Sequence, residues 1–249
     1  ILYMKIIILS LIPFLLAFNS IKAEEKPFHL FILSGQSNMQ GMKPEAGFVT
    51  EAKKLFNESE VGYIKVAKGG RPIRLWVKEW NSIAEKYKLP PRIESTVFYQ
   101  PILDQYAEVI TKHPKISSVT FCWMQGERDA KENLSVAYTD AMKQLINNLR
   151  RDLKQPNMYF VIGRLSDHLK ESHESWTAVR KSQVAVAEDD PLGAWVDCDD
   201  LNNKKGKDGK THDDLHYTKE GYALLGKRYA RQAKLLIDGK KPSLNGRPE

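Results

Sequence analysis

Short apolar runs rich in β-branched residues alternate along the chain with segments whose apolar residues recur at helical spacing. The apolar runs predict strands at Phe28–Leu33, Val61–Val66, Ile116–Met124, Met158–Ile162 and Ala194–Cys198. The amphipathic segments predict helices over Tyr99–Lys112, Ala130–Leu153, Trp176–Ala187 and Lys219–Leu236. Strand–helix alternation of this kind is typical of a parallel sheet covered by helices. We therefore predict a flavodoxin-like three-layer α/β/α sandwich with a parallel sheet of about five strands.

The first 23 residues follow a different pattern. Met4 and Lys5 precede the apolar run Ile6–Phe18, and Ala23 offers a small residue for cleavage, as in a secretory signal peptide. The run is short for a membrane span, and an uncleaved anchor helix is the alternative. We predict a signal peptide over 1–23, one domain over 24–239, a flexible tail over 240–249, and export to the periplasm or the medium.

Charge and motifs limit which partners are expected, and the cysteine content limits which disulfides are expected. The formal net charge of +7 falls to +5 when Lys5 and Lys22 are removed with the signal peptide. The chain shows neither a basic face with aromatic platforms nor a recognised nucleic-acid module, so we expect no nucleic-acid partner. Cys122 and Cys198 lie in apolar, strand-like contexts, which favours buried free thiols over a disulfide framework.

A serine and an imidazole occupy positions suited to nucleophilic catalysis. Gly35-Gln36-Ser37 follows the first predicted strand, which brings the Ser37 hydroxyl to the sheet edge where open α/β sheets bind ligands. Downstream, Asp213 and His216 lie three residues apart in one predicted loop. A serine nucleophile needs a base, and the base needs an acid that orients it. The sequence predicts Ser37 as nucleophile, His216 as base and Asp213 as acid, although either motif alone is more simply a helix cap or a surface loop.

Two further segments follow predicted strands and supply hydrogen-bond donors. Lys68-Gly69-Gly70 is expected to form a turn with free backbone N–H groups. Near its end, the segment Phe121–Glu127 presents the side-chain amide of Gln125. Acyl transfer needs donors that face the developing oxyanion. The N–H groups of Ser37 and Gly70 and the amide of Gln125 are therefore the predicted oxyanion hole. Taken singly, a glycine pair is often only a turn, and Gln125 could be only a helix cap.

These segments together resemble the four sequence blocks of the SGNH hydrolases. They are most similar to the group of sialate O-acetylesterases and acetylxylan esterases, carbohydrate esterase family 6. The blocks are Gly35-Gln36-Ser37-Asn38-Met39, Lys68-Gly69-Gly70, Trp123-Met124-Gln125-Gly126-Glu127 and Asp213-Asp214-Leu215-His216. The resemblance implies the SGNH hydrolase fold and a serine esterase that removes acetyl groups from sugars without a metal or an organic cofactor. Carried over to this chain, it supports Ser37 and His216 in their roles and the three oxyanion donors.

Two features of the blocks leave alternatives open. Met124 stands where relatives commonly have histidine, which would alter the polarity of the pocket floor or have little effect. Asp213 is the expected acid, with Glu127 as a supporting residue, and a Ser–His pair without a strong acid is the other possibility. His212 and His216 are spaced like metal ligands on a helix, but the surrounding sequence predicts a loop, so we expect no metal site.

Other residues offer weaker signals. Arg71 and Trp76 follow the Gly-Gly turn and are candidate substrate contacts. His168 and His173 have no assignable partners and are interpreted as surface or packing residues.

The combined prediction is an exported carbohydrate O-acetylesterase that works through an acetyl-enzyme intermediate. Its expected partner is an acetylated polysaccharide or oligosaccharide, with no stable membrane insertion after signal cleavage, and the chain is expected to act as a monomer. One alternative is the same fold acting on lipid or aryl esters. Another is a non-catalytic carbohydrate-binding protein. The sequence does not identify the sugar.

Overall fold

A five-stranded parallel sheet forms the centre of the molecule, with the strand order β2-β1-β3-β4-β5. The computed structural model describes residues 26–93 and 96–249, so the predicted signal peptide lies outside the described residues. The strands are β1 (Phe28–Gly35), β2 (Glu60–Ala67), β3 (Ser118–Met124), β4 (Tyr159–Gly163) and β5 (Gly193–Val196). This order is flavodoxin-like, which confirms the predicted fold class.

Helices cover both faces of the sheet. They are α1 (Ser37–Gly41), α2 (Phe48–Leu55), α3 (Trp80–Lys86), α4 (Gln100–Lys112), α5 (Glu127–Lys131), α6 (Ser135–Asp152), α7 (Glu174–Glu188) and α8 (Lys219–Ile237). Helix α8 packs beside α2 and on β3, β4 and β5, whereas α7 packs beside α6 and on β4 and β5. Because parallel crossovers are right-handed, the reversal of direction at β1 places α2 and α8 opposite α4, α6 and α7.

The two inner strands are the most hydrophobic part of the core. Every residue of β1 and of β3 is buried, whereas β2 at the sheet edge is only partly buried. Continuous burial is expected for parallel strands with helices on both faces, and it explains why these runs were visible in the sequence.

The structure divides one predicted helix and adds elements that the sequence pattern did not show. The segment predicted as a single helix over Ala130–Leu153 is split into α5 and α6, and Asn133 between them has a φ of 56°. Asparagine adopts this left-handed conformation more readily than most residues. Helices α1, α2 and α3 are too short for periodicity to reveal. Two short antiparallel strands, β6 (Asn203–Lys205) and β7 (Thr211–Asp213), form a separate hairpin.

The C-terminal segment 240–249, which the sequence predicts as a flexible tail, makes hydrogen bonds to the rest of the domain. The backbone N–H of Asp197 donates to the carbonyl of Gly246 at 2.9 Å, and Arg247 Nε donates to the Asp197 carboxylate at 2.7 Å. Gln232 Nε2 donates to the carbonyl of Ser243 at 3.1 Å. These partners are distant in sequence, so the composition of the tail could not reveal them.

Both cysteines are buried free thiols, as the sequence predicted. Burial raises the pKa of the Cys122 and Cys198 thiols well above the ordinary value, so both are protonated and unreactive. Within residues 26–93 and 96–249, no helix has the length and apolar character needed to cross a membrane.

The carboxyl ends of β1 and β3 approach each other closely at Gly35. A Cβ atom on Gly35 would lie 2.0 Å from the carbonyl oxygen of Met124, and Gly35 has a φ of 143°. The next residue, Gln36, donates its backbone N–H to that same oxygen at 2.8 Å. Only glycine fits here, and the segments that follow the two strands therefore begin side by side.

We expect Gly35→Ala to lower the free energy of unfolding by about 3 kcal/mol or more, because it adds both backbone strain and a steric clash. The matched control is Gly209→Ala: Gly209 has a φ of 76°, but a Cβ there would meet no atom within 4 Å. The control should lose only about 1 kcal/mol. Urea denaturation followed by circular dichroism measures both changes. Equal losses in the two variants would contradict the close approach.

Candidate active site

A cavity of about 750 Å³ lies at the carboxyl ends of the sheet strands. It is lined by Gln36, Ser37, Gly69, Gly70, Glu127, Arg128, Lys131, His168, Leu169, His173, Trp176, Leu215 and His216. Four of these belong to the predicted site: Ser37, Gly70, Glu127 and His216. The structure therefore brings together segments that follow β1, β2 and β3 with the loop before α8, where open α/β sheets bind ligands.

Ser37 is the first residue of α1 and lies against the glycine turn after β2. The N–H groups of the first turn of a helix have no partner within the helix. The backbone N–H of Ser37 has no hydrogen-bond partner among the described residues, which leaves it available to a ligand. A Cβ atom on Gly69 would lie 3.5 Å from Ser37 Cβ, which shows how closely the two loops pack. Gly69 donates its N–H to Gln40 Oε1 at 2.7 Å, while Gly70 adopts a φ of 67° beside it.

Gln125 does not reach the cavity, which differs from its predicted place in the oxyanion hole. Its side chain is fully buried, and Nε2 donates to the carbonyl of Arg71 at 3.1 Å and to Gln36 Oε1 at 3.2 Å. Nε2 also contacts the carboxylate of Asp129, and Oε1 accepts from the Tyr138 hydroxyl at 3.2 Å. The amide is thus fully engaged below the cavity, where it fixes the loop after β2.

Glu127 is a buried carboxyl on the cavity wall. Asn38 Nδ2 donates to Glu127 Oε1 at 2.8 Å, whereas Oε2 is buried without a hydrogen-bond partner among the described residues. Burial raises the pKa of Glu127 to about 7, against the smaller opposing effect of its hydrogen bonds. The carboxyl therefore changes protonation state near neutral pH, as functional-site carboxyls often do.

Asn38 joins α1, which carries Ser37, to the loop that carries His216. This buried side chain donates from Nδ2 to the carbonyl of Leu215 at 3.0 Å as well as to Glu127. Its Oδ1 accepts from the hydroxyl of Tyr222 on α8 at 3.0 Å. Asn38 follows Ser37 and Leu215 precedes His216, so one amide fixes the backbones of both predicted catalytic residues.

His216 lines the cavity, but the predicted contact between its ring and Asp213 is not formed. Asp213 is exposed at the end of β7 and lies outside the cavity lining. Asp214 instead accepts the backbone N–H of His216 on Oδ1 at 3.0 Å and a Lys204 hydrogen bond on Oδ2 at 2.9 Å. These two contacts hold the pKa of Asp214 below its ordinary value. In the described part of the chain, no residue hydrogen-bonds the His216 ring.

The two predicted substrate contacts also lie outside the cavity lining. Trp76 is fully buried, stacks on Phe98 and donates its Nε1–H to Ser34 Oγ at 3.0 Å. It is therefore a core residue, since its ring cannot be reached from the cavity. The Arg71 side chain is exposed, and its carbonyl accepts from Gln125.

The sequence left open whether Met124 lies on the pocket floor and whether His212 could bind a metal. The structure locates both side chains. Met124 is fully buried and its sulfur lies 3.7 Å from the Tyr217 hydroxyl, so it belongs to the core and not to the cavity floor. His212 is exposed and pairs with Asp208 at 3.2 Å. Across residues 26–93 and 96–249, no group of three or more His, Cys, Asp or Glu side chains is arranged to hold a metal ion.

The sequence interpretation missed one wall of the cavity. His168, His173 and Trp176 come from the segment that follows β4, and Lys131 comes from α5. The sequence contained a signal for this wall, because the predicted strand that became β4 also ends at the carboxyl edge of the sheet. Applying the strand-end rule to β4 would have identified His168 and His173 as cavity residues and not only as surface or packing residues.

Solved structures that are similar in fold include the following three. A protein from Arabidopsis thaliana is 22% identical with a TM-score of 0.59, over 84% of this chain and 98% of that one. A carbohydrate acetylesterase from Xanthomonas citri is 17% identical with a TM-score of 0.58, over 85% of this chain and 56% of its own length. This chain thus spans about half of the Xanthomonas protein. NanS is 12% identical with a TM-score of 0.58, over 85% of this chain and 97% of that one.

No curated protein matches this sequence. The sequence model of the family described as "Carbohydrate esterase, sialic acid-specific acetylesterase" matches residues 40–234, which is most of the chain. The matched range includes the Gly69-Gly70 turn, Glu127 and His216, and Ser37 lies just before it. The chain therefore belongs to this family of carbohydrate esterases.

Proposed function

We propose that this protein removes O-acetyl groups from carbohydrates, with Ser37 as the nucleophile and His216 as the base. The observation that carries the proposal is the meeting of Ser37, Gly70 and His216 on one cavity, although they come from three distant parts of the chain. Membership of a carbohydrate esterase family supports the same reaction. The case for a non-catalytic binding protein is weaker. Met124 lies in the core and does not line the cavity, and the cavity retains its serine and histidine.

The reaction follows from the groups on the cavity. Ser37 Oγ attacks the acetyl carbonyl as His216 takes the hydroxyl proton, and the oxyanion forms facing the N–H groups of Ser37 and Gly70. His216 returns the proton to the departing sugar oxygen as the carbon–oxygen bond breaks, which leaves an acetyl-enzyme. A water molecule then attacks in the same way, and acetate leaves. Gln125 supports the hole by fixing the Arg71 carbonyl next to Gly70.

The proposal needs only the Ser37–His216 pair. Neither Asp213 nor Glu127 hydrogen-bonds the His216 ring, so the orientation of the ring depends on the backbone of its loop. Asn38 holds that backbone through Leu215. The roles of Asp213 as the acid and of Glu127 as a supporting residue remain predictions.

The charge of the cavity favours an acidic sugar over neutral xylan. Arg128 and Lys131 line it, and Lys131 has no ion pair among the residues that the structure describes. The acidic residue on the wall is Glu127, whose raised pKa reduces its negative charge at neutral pH. A sialate carries a carboxylate that such a site attracts.

The same charges disfavour a long acyl chain, so a lipid ester is the weaker alternative. In this proposal, the protein acts as a monomer on glycans outside the cytoplasm.

Ser37→Ala is the direct test. Acetate release from O-acetylated sialic acid, acetylated xylan and an aryl acetate should fall by a factor on the order of 10⁴ or more, because the nucleophile is lost. Unchanged circular dichroism and melting temperature would exclude unfolding as the cause. Full activity of the Ser37→Ala protein on any of these esters would refute the proposal.

Asn38→Ala should reduce kcat by about 10- to 100-fold with a smaller change in KM, since the base loop loses its anchor to the nucleophile helix. Tyr222→Phe is the matched control: it removes one hydrogen bond to Asn38 and leaves those to Leu215 and Glu127. The control should stay within about threefold of the wild type. Steady-state kinetics on an aryl acetate measures both. A kcat for Asn38→Ala equal to that of Tyr222→Phe would show that Asn38 does not position the base.

Lys131→Gln should raise KM for O-acetylated sialic acid by about threefold to tenfold at low salt, because one unpaired cation of the cavity is removed. KM for a neutral aryl acetate should stay the same. Added salt should weaken wild-type binding of the acidic sugar and have little further effect on the variant. Equal changes for the acidic and the neutral ester would show that the charge of Lys131 does not select the substrate.

A further inference from the structure

A second cavity, of about 520 Å³, adjoins the catalytic cavity at His173. His173 lines both cavities, so the two are neighbours. The first holds Ser37 and His216, and the second lies at the starts of α6 and α7. The two cavities differ in chemistry, and this difference indicates what each one binds.

The second cavity is lined by small neutral polar side chains beside two apolar ones. Asn133, Ser135, Ser172 and Ser175 supply amide and hydroxyl groups, and Val136 and Ala178 supply apolar surface. Of the described residues that line it, Glu174 is the one with an acidic side chain, and none is a lysine or an arginine. Amide and hydroxyl groups beside a small apolar surface match a neutral sugar ring, which has hydroxyl edges and apolar C–H faces. They do not match a second acidic sugar.

One polar group of this lining lacks a partner. The Ser175 hydroxyl is buried and has no hydrogen-bond partner among the described residues. A buried hydroxyl without a partner is unfavourable in the free protein. A sugar hydroxyl bound against Ser175 would supply that partner. Val136, which is 57% exposed on the side of α6 opposite Leu145, adds apolar surface beside it.

His173 is oriented to serve both cavities. Its Nδ1 accepts the backbone N–H of Trp176 at 3.3 Å, as the cap of α7. The proton of the neutral ring therefore resides on Nε2. Among the described residues, Nε2–H has no hydrogen-bond partner, so it is available to a ligand that occupies both cavities.

We propose that the second cavity binds the neutral glycosyl units attached to the acetylated sugar, so that the preferred substrate is an oligosaccharide and not a free monosaccharide. This inference rests on the proposed function, because it assumes that the acetylated unit occupies the catalytic cavity. Binding energy from the remote units would then lower KM or raise kcat for the longer substrate.

The test compares O-acetylated sialic acid with O-acetylated sialyllactose, in which the same acidic sugar carries two neutral hexoses. The wild type should show kcat/KM about tenfold or more higher for the longer substrate. Ser172 is exposed and lines the second cavity, so Ser172→Trp places a bulky ring there. This variant should lower the ratio to about one. Because each protein serves as its own reference, partial misfolding of the variant does not alter the ratio. Glu171→Trp is the control, because Glu171 is exposed next to Ser172 but does not line the cavity.

Calorimetric titration of the Ser37→Ala protein with sialyllactose and with sialic acid separates this inference from the proposed function. Tighter binding of sialyllactose that is lost in Ser37→Ala/Ser172→Trp supports the second cavity, even if the wild type releases no acetate. Serine-dependent acetate release with equal kcat/KM for the two substrates would leave the esterase standing and overturn the second cavity. Equal loss in Ser172→Trp and Glu171→Trp would also overturn it.

Discussion

The contact between the carboxyl ends of β1 and β3 fixes where Ser37 and Glu127 lie on the cavity wall. Gly35 allows the two backbones to meet, and the N–H of Gln36 binds the carbonyl of Met124. Because these strands are adjacent, α1 and α5 begin side by side, with Ser37 on one helix and Glu127 on the other. Asn38 then ties this pair of helices to the loop that carries His216.

A layer of buried hydrogen bonds supports the cavity from below. The side chains of Gln36, Gln125, Asp129 and Tyr138 bond to one another or to the backbone of the strand-end loops. Asp129 accepts the backbone N–H of Ile73, and its burial raises its pKa to about 7. A buried polar network of this kind rigidifies a site when its members are satisfied. It accounts for the position of Gln125, whose amide serves the network and not the cavity.

The two cavities differ in charge. The cavity at Ser37 and His216 is lined by Arg128 and Lys131, and its buried Glu127 loses much of its charge near neutral pH. The adjoining cavity presents mainly neutral hydroxyl and amide groups. In our proposal, an acidic sugar that carries neutral units matches this pair of neighbouring cavities. His173 lines both, and its helix-capping hydrogen bond uses only one of its two ring nitrogens.

The sequence by itself determined the sheet, the order of its elements and the four segments that converge on the site. Those features are local: a buried parallel strand is a continuous apolar run, and its end is where ligands bind. Only the tertiary structure decided which side chains face the cavity. Trp76 and Gln125 are drawn into the core by partners far away in sequence, whereas His168 and His173 are brought to the wall by the segment after β4. The direction of a side chain depends on such distant contacts, and one-dimensional spacing carries no record of them.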